Sequence, residues 1–280
     1  MAVSLLALSI SGGFIAMFSI IVLQTCQTHS FTHGVTKILF FGLAHLVCGF
    51  GVFAPLCFTL IGTPLSSFSF TSHRSSRPSP TAYAQSIIPG ISIGYILPIM
   101  IMALPCPTII SPETKQQAIL FWHGWPFYLP VTMFIHHVMI GQLQNVQLGA
   151  EVAARRGTQL VHRFGFLCSY LCHITSVAIV IASYIPGAIP RASLSFGEEV
   201  GDNLIMVIER GMTDILKWDY AMAAASAMVW ALDARIKRIQ AKGKQVSRND
   251  YLQMCWDVFV GSVMDGPCSV ALRISLGMDE

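Results

Sequence analysis

The sequence has 280 residues, of which 54% are hydrophobic and only 11% charged, against roughly 25% charged in an ordinary soluble domain. With a mean hydropathy of +0.62, the chain has too little charge to cover a water-facing surface, which excludes an ordinary soluble enzyme. A formal net charge of +3 is too small for a nucleic-acid partner and fits basic loops beside a membrane.

A spanning helix needs about 20 mostly apolar residues, because the hydrocarbon core is about 30 Å thick. Seven stretches qualify, so the expected fold class is all-α, a polytopic transmembrane helical bundle of about seven spans, with residues 1–280 as a single integral membrane domain. The first runs from Val3 to Leu23. It has no basic leader and is longer than the apolar part of a signal peptide, so it reads as a helix of the mature protein. The second, Ile38 to Ile61, is long enough to tilt. The third, Ser86 to Leu104, carries Gly90 and Gly94, a GxxxG spacing that allows close helix packing. The fourth is Ala118 to Ile140 and the fifth Phe164 to Tyr184. A short helix, Asp202 to Ile215, carries Glu209, Arg210 and Asp214 and is expected along the interface or at the entrance to a site; if it spans, the count becomes eight. The sixth stretch is Leu216 to Leu232 and the seventh Tyr251 to Ala271. The 14 prolines and 22 glycines also suit transmembrane helices.

Lys and Arg orient this arrangement. Arg74, Arg77, Arg155, Arg156, Arg163, Arg235, Lys237, Arg238, Lys242, Lys244 and Arg248 share a side with the N-terminus. Lys37, Lys115, Arg191, Arg210, Lys217 and Arg273 lie opposite. Eleven against six puts the N-terminus in the cytosol and the C-terminus in the lumen of an endomembrane, the endoplasmic reticulum being the expected one. The Ser/Pro-rich loop Ser66–Pro80 is expected to be flexible. The eight cysteines form no CxxC pair and no zinc-like Cys/His spacing, so they read as small buried hydrophobes and no metal ligand is expected.

Ionisable groups inside a bilayer are costly, and each warrants a functional hypothesis with a partner. Asp219, in Lys217-Trp218-Asp219-Tyr220, stands where the sixth stretch enters the membrane. A partly desolvated carboxylic acid there could serve as a general acid. The structural alternative is an interfacial Asp paired with Lys217 or capping its helix. Asp265 lies well inside the seventh stretch, beside Gly266 and Pro267; the proline frees a backbone carbonyl and can kink the helix. Pairing with a buried His is the alternative to catalysis. Trp122 and Trp125, three residues apart, are expected on one helical face, as site aromatics or as a membrane belt. His123 could hydrogen-bond an acid or orient a substrate oxygen, and His173 is a second buried imidazole. Glu113, Trp122, His123, Trp218, Asp219 and Asp265 all fall in the lumenal half of the expected topology, as a one-sided cavity would require.

The sequence contains no P-loop, no GxGxxG after a strand, no GxSxG, no HExxH and no DDxxD-type cluster. Diphosphate-leaving chemistry and the common soluble cofactors are therefore not expected.

Several segments in order carry a resemblance. They are Gly94-Tyr95-Ile96-Leu97-Pro98, Ala103-Leu104-Pro105, Phe121-Trp122-His123-Gly124-Trp125-Pro126, Leu216-Lys217-Trp218-Asp219-Tyr220, Val229-Trp230-Ala231, and Gly266-Pro267-Cys268-Ser269-Val270-Ala271-Leu272. Together, over roughly the C-terminal two-thirds, they resemble the small integral-membrane terpene cyclases of fungal meroterpenoid pathways, of the macrophorin, ascochlorin and ascofuranone type. His123 departs from that pattern, which more often has Gln there.

The resemblance implies an enzyme without metal or redox cofactor that protonates a terminal olefin or epoxide on a prenyl chain, expected to be farnesyl, attached to an aromatic or quinoid head. Its partners would be that lipophilic substrate and membrane lipid. It makes Asp219 the leading proton donor; the expected topology adds Asp265 or Glu113 as second and His123 as a group tuning or reprotonating the acid. Trp122, Trp125, Trp218, Tyr220, Trp230 and His173 would line the substrate pocket, their aromatic faces stabilising a passing cation. Two alternatives remain: a transporter or binding protein without chemistry, and a haem-b or quinone redox protein using His123, His137 and His173.

Overall fold

A computed structural model describes residues 2–28, 31–61, 80–104, 106–141, 150–184 and 202–276. The loop Ser66–Pro80 expected to be flexible lies outside the described residues up to position 79. Every regular element is helical, and no strand occurs among the described residues. The elements are α1 (Ala2–Thr28), α2 (Phe31–Cys48), α3 (Phe50–Ile61), α4 (Pro80–Ile91), a π-helical turn (Ser92–Ile96), α5 (Leu97–Ala103), α6 (Pro112–His123), α7 (Trp125–Gly141), α8 (Ala150–Ser183), α9 (Asp202–Ala241), α10 (Arg248–Met264) and α11 (Pro267–Leu276).

The apolar stretches of the sequence are present, but most are interrupted. The second breaks at Gly49, whose φ of +79° ends α2 and lets α3 start afresh. In the third, Pro89 and Pro98 remove two ladder donors, and the helix passes between them through the π-helical turn. The fourth bends by 61° between α6 and α7, where Gly124 precedes Trp125-Pro126 and the residue before a proline resists the helical region. The seventh splits at Gly266, φ +88°, into α10 and α11. The separate short helix expected over Asp202–Ile215 does not exist; it runs without interruption into the sixth stretch. The result is the 40-residue α9, about 60 Å long at 1.5 Å per residue. By length and apolarity, three helical segments among the described residues can cross a membrane: Leu8–Thr25, Gln85–Met102 and Arg156–Ala182. The bent α6–α7 pair makes up to four, against the seven expected.

The chain divides into two compact units. One contains Met1–Phe18, Phe50–Phe58 and Gly165–Glu280. Its core is built on small residues of α9, with Ala223, Ala224, Ala227, Ala231 and Ala234 buried, and on Cys268, Val270, Ala271 and Leu272 of α11, which packs along α9. Small side chains let helix backbones approach closely, the packing that works where lipid supplies no hydrophobic drive. The opposite face of α9 exposes Trp218, Met222 and Val229. An outward apolar face of this kind suits lipid contact and would be a liability in water. At the start of α10, Ser247 and Asp250 form a reciprocal capping box. The Ser247 backbone amide and hydroxyl hold the Asp250 carboxyl below the usual carboxylate range. This support is present above that range and fades as pH falls through it.

The other unit contains Ser19–Gly49 and Thr59–Phe164. Its centre is α7, against which α2, α4 and the π-helical turn all pack. Trp125, Leu129 and Met133 are fully buried. The GxxxG pair lies at this contact: a Cβ on Gly90 would meet the carbonyl of Leu129 at 3.3 Å, and one on Gly94 would stand 2.5 Å from Leu129 N. The Gly94 obstacle is backbone, which cannot swing aside. Gly94→Ala is therefore expected to cost about 1–3 kcal/mol of stability, read as a lower Tm in detergent. Gly211→Ala, in α9 with nothing within 4 Å of the new Cβ, is expected to leave Tm unchanged or raise it.

Candidate active site

Asp219 stands on α9. Helical rotation points Trp218 outward, 72% exposed, while Asp219 and Tyr220 are half-buried. Asp219 does not pair with Lys217, which bonds Asp214 at 3.2 Å on the exposed side of the helix. Its partners are backbone groups at the start of α3: Phe50 N–H donates to Oδ2 at 3.0 Å and Gly51 N–H to Oδ1 at 2.6 Å. The first N–H groups of any helix lack intrahelical acceptors, and an anionic group there also meets the favourable end of the helix dipole. The capping alternative thus holds, but for a different helix. Gly51 is required for the approach, since a Cβ there would lie 2.7 Å from the Asp219 carbonyl and 3.0 Å from Oδ1. Phe50 is buried, its ring 5.0 Å from that of Phe14.

Tyr220 turns toward α1 and α11. A Cβ on Gly13 would touch its ring at 2.7 Å, and the Cys268 thiol donates weakly to its hydroxyl at 3.9 Å. Trp230, three turns along α9, is buried with its ring 5.3 Å from that of Phe58 on α3. Asp219, Tyr220 and Trp230 therefore lie along the surfaces that α9 shares with α1, α3 and α11.

Asp265 is not inside a helix: it terminates α10, its N–H donating to Gly261 O at 2.7 Å. Its carboxylate accepts from Arg273 Nη1 at 2.8 Å, with the two side chains 20% and 29% exposed respectively. The buried-His partner considered from the sequence is thus replaced by an arginine one helix on. His173 of α8 does reach this break, but it serves the backbone. Pro267 has no N–H, so the carbonyl four residues earlier, Val263 O, has no helical donor. His173 Nε2 lies 3.1 Å from that oxygen. A carbonyl accepts only, so the imidazole donates through Nε2, and its neutral form keeps Nδ1 as an acceptor. The ring rests on Gly266, where a Cβ would be 3.0 Å from its Cγ.

The remaining sequence candidates belong to the other compact unit. Glu113 is exposed in the first turn of α6, which Ser111 caps. Lys115 of the same turn donates to Leu104 O at 3.0 Å and to Met102 O, closing the end of α5. His123 is exposed, with Nδ1 2.7 Å from Ile119 O of its own helix. The bend at Gly124 separates Trp122 from Trp125, so the two do not share a helical face. Trp125 is wholly buried, its ring 5.7 Å from His45 and 5.4 Å from Tyr95. It is core rather than membrane belt. Trp122 is half-buried, and its Nε1 has no acceptor among the described residues.

The unit holding Asp219 also holds Tyr220, Trp230, Asp265 and His173, but the two carboxylates serve separate partners, the start of α3 and Arg273. Of these groups, Asp219, Tyr220 and Trp230 share the one helix and could together hold and release a proton beside an aromatic ring. Sequence reasoning missed the Phe50 and Gly51 amides and Arg273. Gly49-Phe50-Gly51 inside an apolar run was the available signal for the first, and a cation eight residues beyond Asp265 for the second. Among the described residues no three His, Cys, Asp or Glu side chains converge as a metal site would require.

The CtvD domain family matches residues 1–280. The chain is 30% identical to terpene cyclase atmA of Aspergillus flavus over 97% of its own length and 74% of that protein. It is 27% identical to terpene cyclase penA of Penicillium crustosum, covering 98% and 74% respectively. With terpene cyclase janA of Penicillium janthinellum the identity is 26%, covering 97% and 71%. No solved structure matches.

The Asp265–Arg273 pair lends itself to a double-mutant cycle. Arg273→Met leaves a half-buried carboxylate without its cation and is expected to lower stability by about 1–3 kcal/mol. Adding Asp265→Asn is expected to recover part of the loss, measured as Tm of the purified protein in detergent.

Proposed function

The chain belongs to the CtvD domain family, and on that premise we propose that it is a membrane-embedded terpene cyclase whose reaction an aspartic acid starts. The observation that carries the reading is the family match along the whole chain, together with relatives named terpene cyclases. The exposed apolar faces of α3, α7 and α8, with Val52, Leu56 and Leu60, then Val131, Phe134 and Ile135, then Leu167, Leu171 and Ile174, support placement in lipid. The excess of Lys and Arg on one side supports a cytosolic N-terminus and a lumenal C-terminus, with about seven membrane crossings in the endoplasmic reticulum. A crossing then need not be one straight helix: α10 with α11 supplies the length of one broken span.

The substrate is a prenyl chain, farnesyl on this reading, carried on an aromatic or quinoid head. Asp219 gives its proton to the terminal olefin or to the oxygen of a terminal epoxide. The O–H bond breaks, its electrons stay on the carboxylate, and a carbocation forms on the prenyl chain. Successive double bonds attack it, rings close, and loss of a proton or capture by a substrate oxygen ends the sequence. Substrate and product have the same composition, so the reaction needs no net redox change. Aromatic faces such as Trp230 would stabilise the cation, and a water-poor site protects it from quenching. Asp265, Glu113 and His123 remain the second candidates for moving the proton.

The test is turnover in yeast microsomes fed farnesylated phenols, epoxycyclohexenones and their terminal epoxides. Wild type is expected to yield a product of unchanged mass and new retention, and Asp219→Asn to lose it while inserting to the same level. Well-expressed wild type that converts none of these substrates would overturn the cyclase reading. Conversion surviving in Asp219→Asn would keep the reading and transfer the proton to Asp265 or Glu113.

A further inference from the structure

Both oxygens of Asp219 are occupied as acceptors, one by each of two consecutive backbone amides. Two amide donors suit a charged carboxylate better than the neutral acid, whose hydroxyl oxygen is the weaker acceptor. A proton on Oδ1 would confront the closer donor, Gly51 N–H at 2.6 Å. A proton on Oδ2 would disturb only the longer bond, from Phe50 N–H at 3.0 Å. The two amides are therefore not equivalent toward an acid that must be loaded and discharged.

Resting on the reading of Asp219 as proton donor, we propose that the first turn of α3 is a working part of that acid: Gly51 N–H holds Oδ1 throughout, and Phe50 N–H receives Oδ2 as its proton leaves. Gly51 positions the acid. Its bond is present with the proton on or off, so it fixes the direction in which Oδ2 faces the substrate. Phe50 N–H acts in the proton-transfer step. Its bond is absent from the loaded acid and forms as negative charge develops, which is the condition for an interaction to raise kcat without tightening substrate binding. A preorganised amide donor at a developing anion is worth about 10²–10³-fold in rate elsewhere. The balance is simple: the Asp219 O–H bond breaks, a C–H bond forms on the olefin or an O–H bond on the epoxide oxygen, and the carboxylate is taken up by two N–H donors already in place. The proton released at the end of the cascade reloads Oδ2 and reopens only the Phe50 contact.

The side chains around this turn make the amide testable apart from the ring. Phe50→Ala removes the buried phenyl and keeps the N–H. Phe50→Pro removes both, at the first helical position, where proline is otherwise well tolerated. The expected result is that kcat per folded protein falls by a further factor of about ten or more in Phe50→Pro relative to Phe50→Ala. KM should match between the two, and the solvent deuterium isotope effect on kcat should rise, since proton delivery becomes the slow step. Folded protein is counted from the monodisperse detergent peak and its Tm, which a merely structural loss would move without changing the isotope effect. Gly51→Ala is the second probe: its Cβ would meet Oδ1 at 3.0 Å and Asp219 backbone at 2.7 Å, and it too is expected to lower kcat and raise the isotope effect. Equal kcat and isotope effect in Phe50→Pro and Phe50→Ala would overturn the inference, as would a Gly51→Ala protein with wild-type values. If Asp219→Asn itself still cyclises, it is instead the assignment of the acid that fails.

Discussion

The first N–H groups of any helix have no acceptor inside it and must be satisfied from elsewhere. In this protein that need is met from another helix. The Asp219 carboxylate receives the two leading amides of α3, and Gly51 removes the side chain that would keep the backbones apart. Much else follows from this contact. It fixes the facing of α9, which in turn sets Tyr220 against Gly13 and Cys268 and lays Trp230 on Phe58. It also means that the residue proposed as the acid has a structural duty on the same two oxygens.

The same rule governs the other breaks. At three further helix breaks or ends among the described residues, a side chain takes up the orphaned carbonyl. At Pro267 the freed Val263 carbonyl receives His173. At the end of α5, Lys115 closes the carbonyls of Met102 and Leu104. Near the C-terminal end of α11, Arg238 reaches back from α9 to Ile274 O and to Ser275 O at 3.2 Å. These cations and imidazoles sit where composition alone would place only apolar side chains. Each is explained by the backbone group it serves before any chemistry is invoked.

The all-helical class was legible from composition, because 54% hydrophobic against 11% charged residues leaves few other solutions. The GxxxG contact of Gly90 and Gly94 was legible too, since that spacing puts two side-chain-free positions on one helix face. The interruptions were not. Hydropathy averages over a window, so a single positive-φ glycine such as Gly49 or Gly266 disappears inside an apolar run that still looks continuous. The fusion of the predicted short helix with the sixth stretch was hidden for the opposite reason: Glu209, Arg210 and Asp214 lower the hydropathy without breaking the backbone. Asp219 could be singled out as an expensive residue, but its partners could not. They are backbone amides, which carry no sequence identity and lie far away along the chain. Trp125 was misplaced because helical periodicity was carried across Gly124, where the axis turns by 61°.

The distance along the chain between Asp219 and the turn it caps has a bearing on biogenesis. The carboxylate is encoded 168 residues after Gly51, so α3 leaves the ribosome long before its cap exists. During that interval its leading amides need some other acceptor, such as water. The packed start of α3 is therefore made early and completed late, and a chain stopped short of α9 keeps an unsatisfied helix start.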